Sequence, residues 1–302
     1  MNYSRLILSI FALISYIFLA GQDSCDKTYY EPPVQESTVY PIVLAHGFGG
    51  FKEILGIEYF WGVKEDLQAR GYEVYVTQVD MFNTIEVRGA QLAQQIDDIL
   101  RTSGAGKVNV IAHSMGGLDA RYAISHLGYG DRIASLTTIA TPHRGTAVAD
   151  IALGLMPGPV EDALGVISWL AGCTVDGVDY EACTQSAIVA AQELTTSYAN
   201  NVFNPSTPDD PRVRYFSYAG KTGWGSIDIV DPLLLVPYNI LFLAEGANDG
   251  LVSVNSAMWG EFQEVVHADH LDEIGQLLGS TQSFDHYKFY ESIVRMLKDK
   301  GL

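Results

Sequence analysis

The chain has 302 residues, 48% of them hydrophobic and 18% charged, with a formal net charge of −18. That balance describes a globular chain with material for a sizeable core and excludes the disordered class. The acidic excess argues against nucleic acid or an anionic membrane surface as the main partner, since either calls for basic patches.

Arg5 precedes the apolar run 6–19, and Leu19-Ala20-Gly21 offers small residues for cleavage. The run is shorter than the ~20 residues of a spanning helix, so residues 1–21 read as a secretory signal peptide. The expected destination is extracellular, via the periplasm. Residues 22–38 are polar, contain Pro32-Pro33, and read as a flexible leader. In an oxidising compartment Cys173 and Cys183 are expected to form a local disulfide that leaves Cys25 unpaired.

Residues 39–45 form an apolar strand fit for a sheet covered on both faces. It ends at His46-Gly47-Phe48-Gly49-Gly50, a loop permissive in φ. A strand follows at 73–79, then a helix at 84–103 with Val87, Leu92, Ile96 and Ile99 on one stripe and Gly104 as its stop. The β-branched run that leads into Ser114 is a strand, 118–127 a helix, and 133–140 a strand ending at Thr141-Pro142. The rhythm breaks over 149–211, which is helical in places and closes in a Pro- and Asp-rich turn cluster. Strands resume at 213–219 and 261–266. Residues 283–300 form an amphipathic helix with Tyr287, Tyr290, Ile293 and Leu297 in register. Alternating strands and helices indicate a doubly wound, mainly parallel α/β sheet, as one domain over 39–302 with an insertion.

The most informative motif is Ala112-His113-Ser114-Met115-Gly116-Gly117. A strand running into a serine and then into glycines and a helix is a sharp turn with a hydroxyl at its apex. Such a turn projects a nucleophile and leaves the next N–H free for an oxyanion, which points to acyl transfer. A serine needs a base and the base an orienting acid, in the order Ser, Asp or Glu, His. Of the later histidines, His126 lies on the following helix, His143 comes too early and His286 opens the last helix. His267 and His270 remain, and spacing does not choose between them. Asp249, in Asn248-Asp249-Gly250, is the acid candidate.

Four strings in order carry a resemblance: Tyr-Pro-Ile-Val-Leu-Ala-His-Gly from Tyr40, Val-Arg-Gly from Val87, Ala-Asn-Asp-Gly-Leu-Val from Ala247 and His-Leu-Asp-Glu-Ile from His270. From Tyr40 to the C-terminus the chain resembles the true lipases of Pseudomonas and Burkholderia, secreted triacylglycerol lipases of the α/β-hydrolase superfamily. The resemblance implies Ser114 as nucleophile, Asp249 as acid and His270 as base, with His267 a surface residue. It implies oxyanion donors in the N–H groups of Phe48 and Met115. It implies a structural Ca2+ on Asp231 and Asp272 with the carbonyls of Gln276 and Ser280. Some relatives need a lipase-specific folding chaperone. The chain departs from the pattern at Ala112, where the motif usually has glycine. It also lacks the long-range disulfide of the Pseudomonas relatives.

Within the insertion, Val160, Leu164, Ile167 and Ala171 share one helical face beside Val166, Trp169 and Leu170. This apolar helix is the expected lid, closing the cleft in water and opening at an oil–water interface. The expected activity is cleavage of triacylglycerols to free fatty acids through an acyl-enzyme. Its rivals are a short-chain carboxylesterase on the same fold and an inactive lipid-binding homologue.

Overall fold

The computed structural model describes residues 37–50, 53–54, 57–158, 180–224, 229–276 and 278–302. The expected signal peptide, nearly all of the leader, Cys25, Cys173 and the lid helix at 160–171 lie outside the described residues.

Eight strands occur among the described residues: β1 (Ile42–Ala45), β2 (Glu53–Ile54), β3 (Ile57–Glu58), β4 (Val74–Val76), β5 (Val108–His113), β6 (Ile133–Ile139), β7 (Arg214–Lys221) and β8 (Glu261–His267). The helices that matter here are α1 (Val63–Ala69), α2 (Ile85–Ser103), α3 (Gly116–His126), α4 (Ala147–Ala152), α5 (Tyr180–Gln192), α6 (Leu235–Ala244) and α7 (His286–Asp299). β2 and β3 form a small antiparallel pair. The other six strands make one sheet in the order β4-β1-β5-β6-β7-β8, every neighbouring pair parallel.

The chain leaves β1 for β4 on one side and then returns to place β5 on the other. The strand order therefore reverses beside β1, and the loops after β1 and β5 diverge there to open a crevice at the carboxyl ends of the strands. In the β1–β5 pair Ala45 lies opposite Ala112, so His46 and His113 leave the sheet side by side.

Alternation along the buried strands feeds two cores. Ile42, Leu44 and Ile111 face one layer with Val63 and Leu67 of α1 and Tyr290, Ile293 and Leu297 of α7. Val43, Ala45, Val110 and Ala112 face the other with Leu92 and Ile96 of α2 and Ala120 and Ile124 of α3.

α2 starts where the sequence places it. The Thr84 side chain accepts the N–H of Val87, and Gly104, at φ 72°, closes the helix with its N–H on Leu100. Leu92, Ile96 and Ile99 are buried, but Val87 is exposed. It lies five positions before Leu92, about 140° away around the helix. Ile85, Arg88 and Gly89 take the buried face instead. In α7, Tyr290, Ile293 and Leu297 are buried and Tyr287 is half-buried. α1 and α6 are helices that the sequence reading did not mark.

A helical, lid-like insertion separates β6 from β7. Its described parts, α4 and α5, pack Val148, Ile151, Ala187 and Ala191 against Ile240 and Leu241 of α6. Asp150 of α4 accepts the N–H and hydroxyl of Thr196, at 3.0 and 2.6 Å. Cys183 of α5 is disulfide-bonded.

Ile293 sits fully buried in the core under α7. Ile293→Ala is expected to lower stability by about 2–5 kcal/mol, read as a lower urea midpoint with an unchanged m value.

Candidate active site

Ser114 caps β5 at φ 54°, in the left-handed region that a non-glycine residue enters at a cost. Its carbonyl takes the N–H of Gly117 and the hydroxyl of Thr141, the latter at 2.7 Å, and Leu118 N–H returns to Met115. These bonds hold the elbow and leave the N–H of Met115 without an acceptor among the described residues. Close packing explains the glycine after it. A Cβ on Gly116 would meet the carbonyl oxygen of His46 at 2.6 Å. Ala112, which replaces the usual glycine, is buried and tolerated within β5.

The loop after β1 lies over this elbow, close enough that a Cβ on Gly47 would fall 2.6 Å from the Cβ of Ser114. Its polar groups are almost all occupied. Val79 N–H donates to His46 Nε2, so the His46 proton is on Nδ1, which donates to the Gly47 carbonyl at 3.0 Å. Burial first, and Arg88 next, push the His46 pKa down to about 3, which keeps the ring neutral. Arg88 Nη2 donates to the carbonyls of His46 and Gly47 at 3.3 and 3.2 Å. Gly49 N–H donates to Met81. The N–H of Phe48 has no acceptor among the described residues.

Arg88 is wholly buried and also donates through Nε and Nη2 to Asp119 of α3, at 3.0 and 2.8 Å. Burial raises the Asp119 pKa to about 6, with Arg88 opposing.

On the far side of the crevice, the loop after α6 carries Asp249 and the loop after β8 carries His270. Asp249 Oδ2 accepts from His270 Nδ1 at 2.8 Å, and its Oδ1 accepts the N–H groups of Leu251 and Val252. With the Nδ1 proton committed to Asp249, His270 Nε2 is the nitrogen left to take a proton. His270 N–H donates to the Asp249 carbonyl, so the two loops are also joined through the backbone. Phe48, Ser114 and His270 line one cavity of about 50 Å³ with aliphatic walls from Val148, Leu194 and Leu251.

A model of the alpha/beta hydrolase fold matches residues 40–171. A triacylglycerol lipase of Vibrio cholerae is 35% identical over 88% of this chain and 89% of its own. One of Pseudomonas fragi is 31% identical over 88% and 98% respectively. The chain belongs to the α/β-hydrolase family. It is an ester hydrolase related to bacterial lipases and esterases. The solved mature lipase BlEst2 of Bacillus licheniformis shares the fold at TM-score 0.65 and 22% identity, covering 90% of this chain and 96% of that one.

Placed in this hydrolase, the sequence candidates separate clearly. Ser114, Phe48 and His270 meet in one cavity, and Asp249 stands behind His270. His126 stacks on Tyr122. His143 is buried, bonded to Thr138 and stacked on Trp259. His267, expected at the surface, is half-buried at the end of β8, where the strand still packs against β7. Among the described residues, the cluster able to offer three metal ligands is His113, His270 and Glu273, which shares no member with the expected calcium set. Two imidazoles and one carboxylate suit a softer cation than Ca2+, and their atoms are already hydrogen-bonded to protein.

Sequence reasoning missed Glu273 and gave Arg88 no role. Glu273 is fully buried, and its Oε2 is hydrogen-bonded to His113 Nε2 at 3.0 Å. Its Oε1 has no hydrogen-bond partner among the described residues and lies where a Cβ on Gly220 would come within 2.0 Å. Burial first, then Asp249, Asp269 and Asp272, hold its carboxyl well above the ordinary range. The string Val87-Arg88-Gly89 was visible, but nothing local says that its arginine points inward.

Arg88→Met leaves Asp119 buried without its partner and is expected to cost about 3–5 kcal/mol in a urea titration. Adding Asp119→Leu is expected to recover a good part of that loss, because two apolar groups then replace the pair.

Proposed function

We propose that this hydrolase cleaves triacylglycerols to free fatty acids through Ser114, His270 and Asp249. The observation that carries the reading is the buried His270–Asp249 hydrogen bond beside a left-handed Ser114 in one cavity. His270 Nε2 takes the Ser114 proton as Oγ attacks the ester carbonyl, and Asp249 holds the imidazole and balances its charge. The N–H groups of Phe48 and Met115 stabilise the oxyanion, each worth ~3 kcal/mol in the transition state. His270 then protonates the leaving alcohol, and water activated by the same nitrogen releases the acid from the acyl-enzyme.

An apolar substrate is supported by the surface. Leu243, Trp224 and Ile229 are 87%, 82% and 78% exposed, and Leu235, Val236 and Phe242 of α6 are exposed beside them in sequence. The triacylglycerol lipase names of the relatives point the same way. We read the insertion over 149–211 as the lid over that surface and the segment 1–21 as an export signal. A folding chaperone partner belongs to the same proposal. The second reading, a short-chain carboxylesterase, is favoured by the narrowness of the cavity.

The calcium proposal has support in the loops that would hold it. Asp231 N–H donates to Asp269 Oδ2 at 3.3 Å, which joins the Asp231 loop to the loop of His270 and Asp272. Asp269, Asp272 and Glu273 are all buried there, and burial raises the Asp269 pKa to about 6, with Asp231 adding to it. A hard cation on Asp231, Asp272 and the carbonyls of Gln276 and Ser280 would offset this acidic density and clamp the histidine loop.

Ser114→Ala is expected to abolish ester turnover and phosphonate labelling with the melting temperature retained; residual turnover at a tenth of wild type or more would reject the mechanism. Rates rising from butyrate to octanoate and longer esters support the lipase, and a maximum at butyrate supports the esterase. EGTA is expected to lower the melting temperature and added Ca2+ to restore it, whereas an unchanged melt would reject the cation site.

A further inference from the structure

Tyr59 lies between the loop after β1 and the strand that ends at Ser114, and the mechanism above does not use it. Its hydroxyl accepts the N–H of Gly47 at 3.2 Å and lies 2.8 Å from His113 Nδ1. The phenol thus joins an amide donor to one nitrogen of the imidazole. Burial, and then the neighbouring His270, keep His113 well below the ordinary imidazole range, so the ring is neutral and carries a single N–H. The other ring nitrogen, Nε2, is hydrogen-bonded to Glu273 Oε2 at 3.0 Å. The Glu273 oxygen is in turn 3.9 Å from His270 Nδ1. This chain of bonds begins at the amide of Gly47 and spans the loops after β1, β5 and β8.

We propose that Tyr59 is a positioning residue for the oxyanion site. Its hydroxyl locks the Gly47 amide to His113, one residue before Ser114, and so fixes how the neighbouring N–H of Phe48 sits over the nucleophile. The proposal rests on the serine-hydrolase reading. Two features of the packing support it. Gly47 and Ser114 are too close for a Cβ between them, so a small shift of the loop changes the distance to the oxyanion directly. The Tyr59 ring is also held independently of its hydroxyl, edge-on to Phe60 at 5.0 Å, so removing the oxygen need not move the ring.

The test uses soluble p-nitrophenyl butyrate and a p-nitrophenyl alkylphosphonate, whose P=O occupies the same oxyanion position. Tyr59→Phe is expected to lower kcat at least ~10-fold, a fraction of the loss of a whole donor, with KM within about twofold. Phosphonate inactivation should slow by the same factor. A second pair of variants keeps the question open to refutation if Tyr59→Phe folds poorly. His113→Asn retains a hydrogen-bonding amide near the Nδ1 position for Tyr59, whereas His113→Gln places its amide near Nε2, toward Glu273. His113→Asn is therefore expected to turn over at least several-fold faster than His113→Gln. Wild-type kcat and inactivation rate in Tyr59→Phe, or equal or reversed rates in the two His113 variants, would overturn the positioning role. Failure of the phosphonate to label Ser114 in the unmodified enzyme would instead overturn the serine-hydrolase reading beneath it.

Discussion

One guanidinium organises the amino-terminal half of the site. Arg88 reaches from α2 beneath the crevice and binds Asp119 on the helix that follows Ser114. The same group caps the carbonyls of His46 and Gly47 and those of Asp80 and Met81. A buried charge pair of this kind adds little net stability over an apolar one, but it loses heavily when one partner goes. Its value here is geometric. Arg88 donors are spent on carbonyls of the loop after β1, and the Phe48 amide of that loop has no acceptor among the described residues. An oxyanion site needs such preorganised, unsatisfied donors.

The carboxyl-terminal half is organised by acids. Asp249, Asp269, Asp272 and Glu273 are all buried within two adjoining loops. Each has a different neighbourhood. Asp249 takes two backbone amides and the His270 ring. Asp269 takes the amides of Leu271 and Asp272 at the start of a short helical turn. Glu273 takes His113. Burial, and then the neighbouring carboxylates, favour the neutral form of Glu273. Two carboxyls thus flank one imidazole, Asp249 on the His270 ring and Glu273 on His113 of the strand that ends at Ser114.

Much of this was legible in the residues. The buried strands are continuous apolar runs because both faces of a parallel sheet are covered. α2 is bounded by Thr84 and Gly104, whose capping chemistry is local. The turn at Ser114 announces itself by a strand, a serine and glycines in succession. The choice of His270 over His267 was not legible from spacing and came from resemblance. The distinction is geometric: His267 is still in β8, while His270 lies two residues past its bridge at Ala268 and is free to turn into the crevice. Val87 shows the opposite failure. Its apolar side chain suggested the buried stripe, but the phase of α2 is set by Arg88 and Gly89 packing against α3.

The sequence by itself determined the class of fold and the sharp turn at Ser114, because strand pattern, capping and turn chemistry act over a few neighbouring positions. The tertiary structure decided which polar side chains are buried and in what order they bond. Arg88 and Asp119 are 31 residues apart, Tyr59 and His113 are 54, and His113 and Glu273 are 160. Such pairs exist only because the strand order reverses beside β1 and brings the loops after β1, β5 and β8 to one edge of the sheet. Burial then makes every unpaired polar atom costly, so the surviving arrangement is the one in which nearly all are paired.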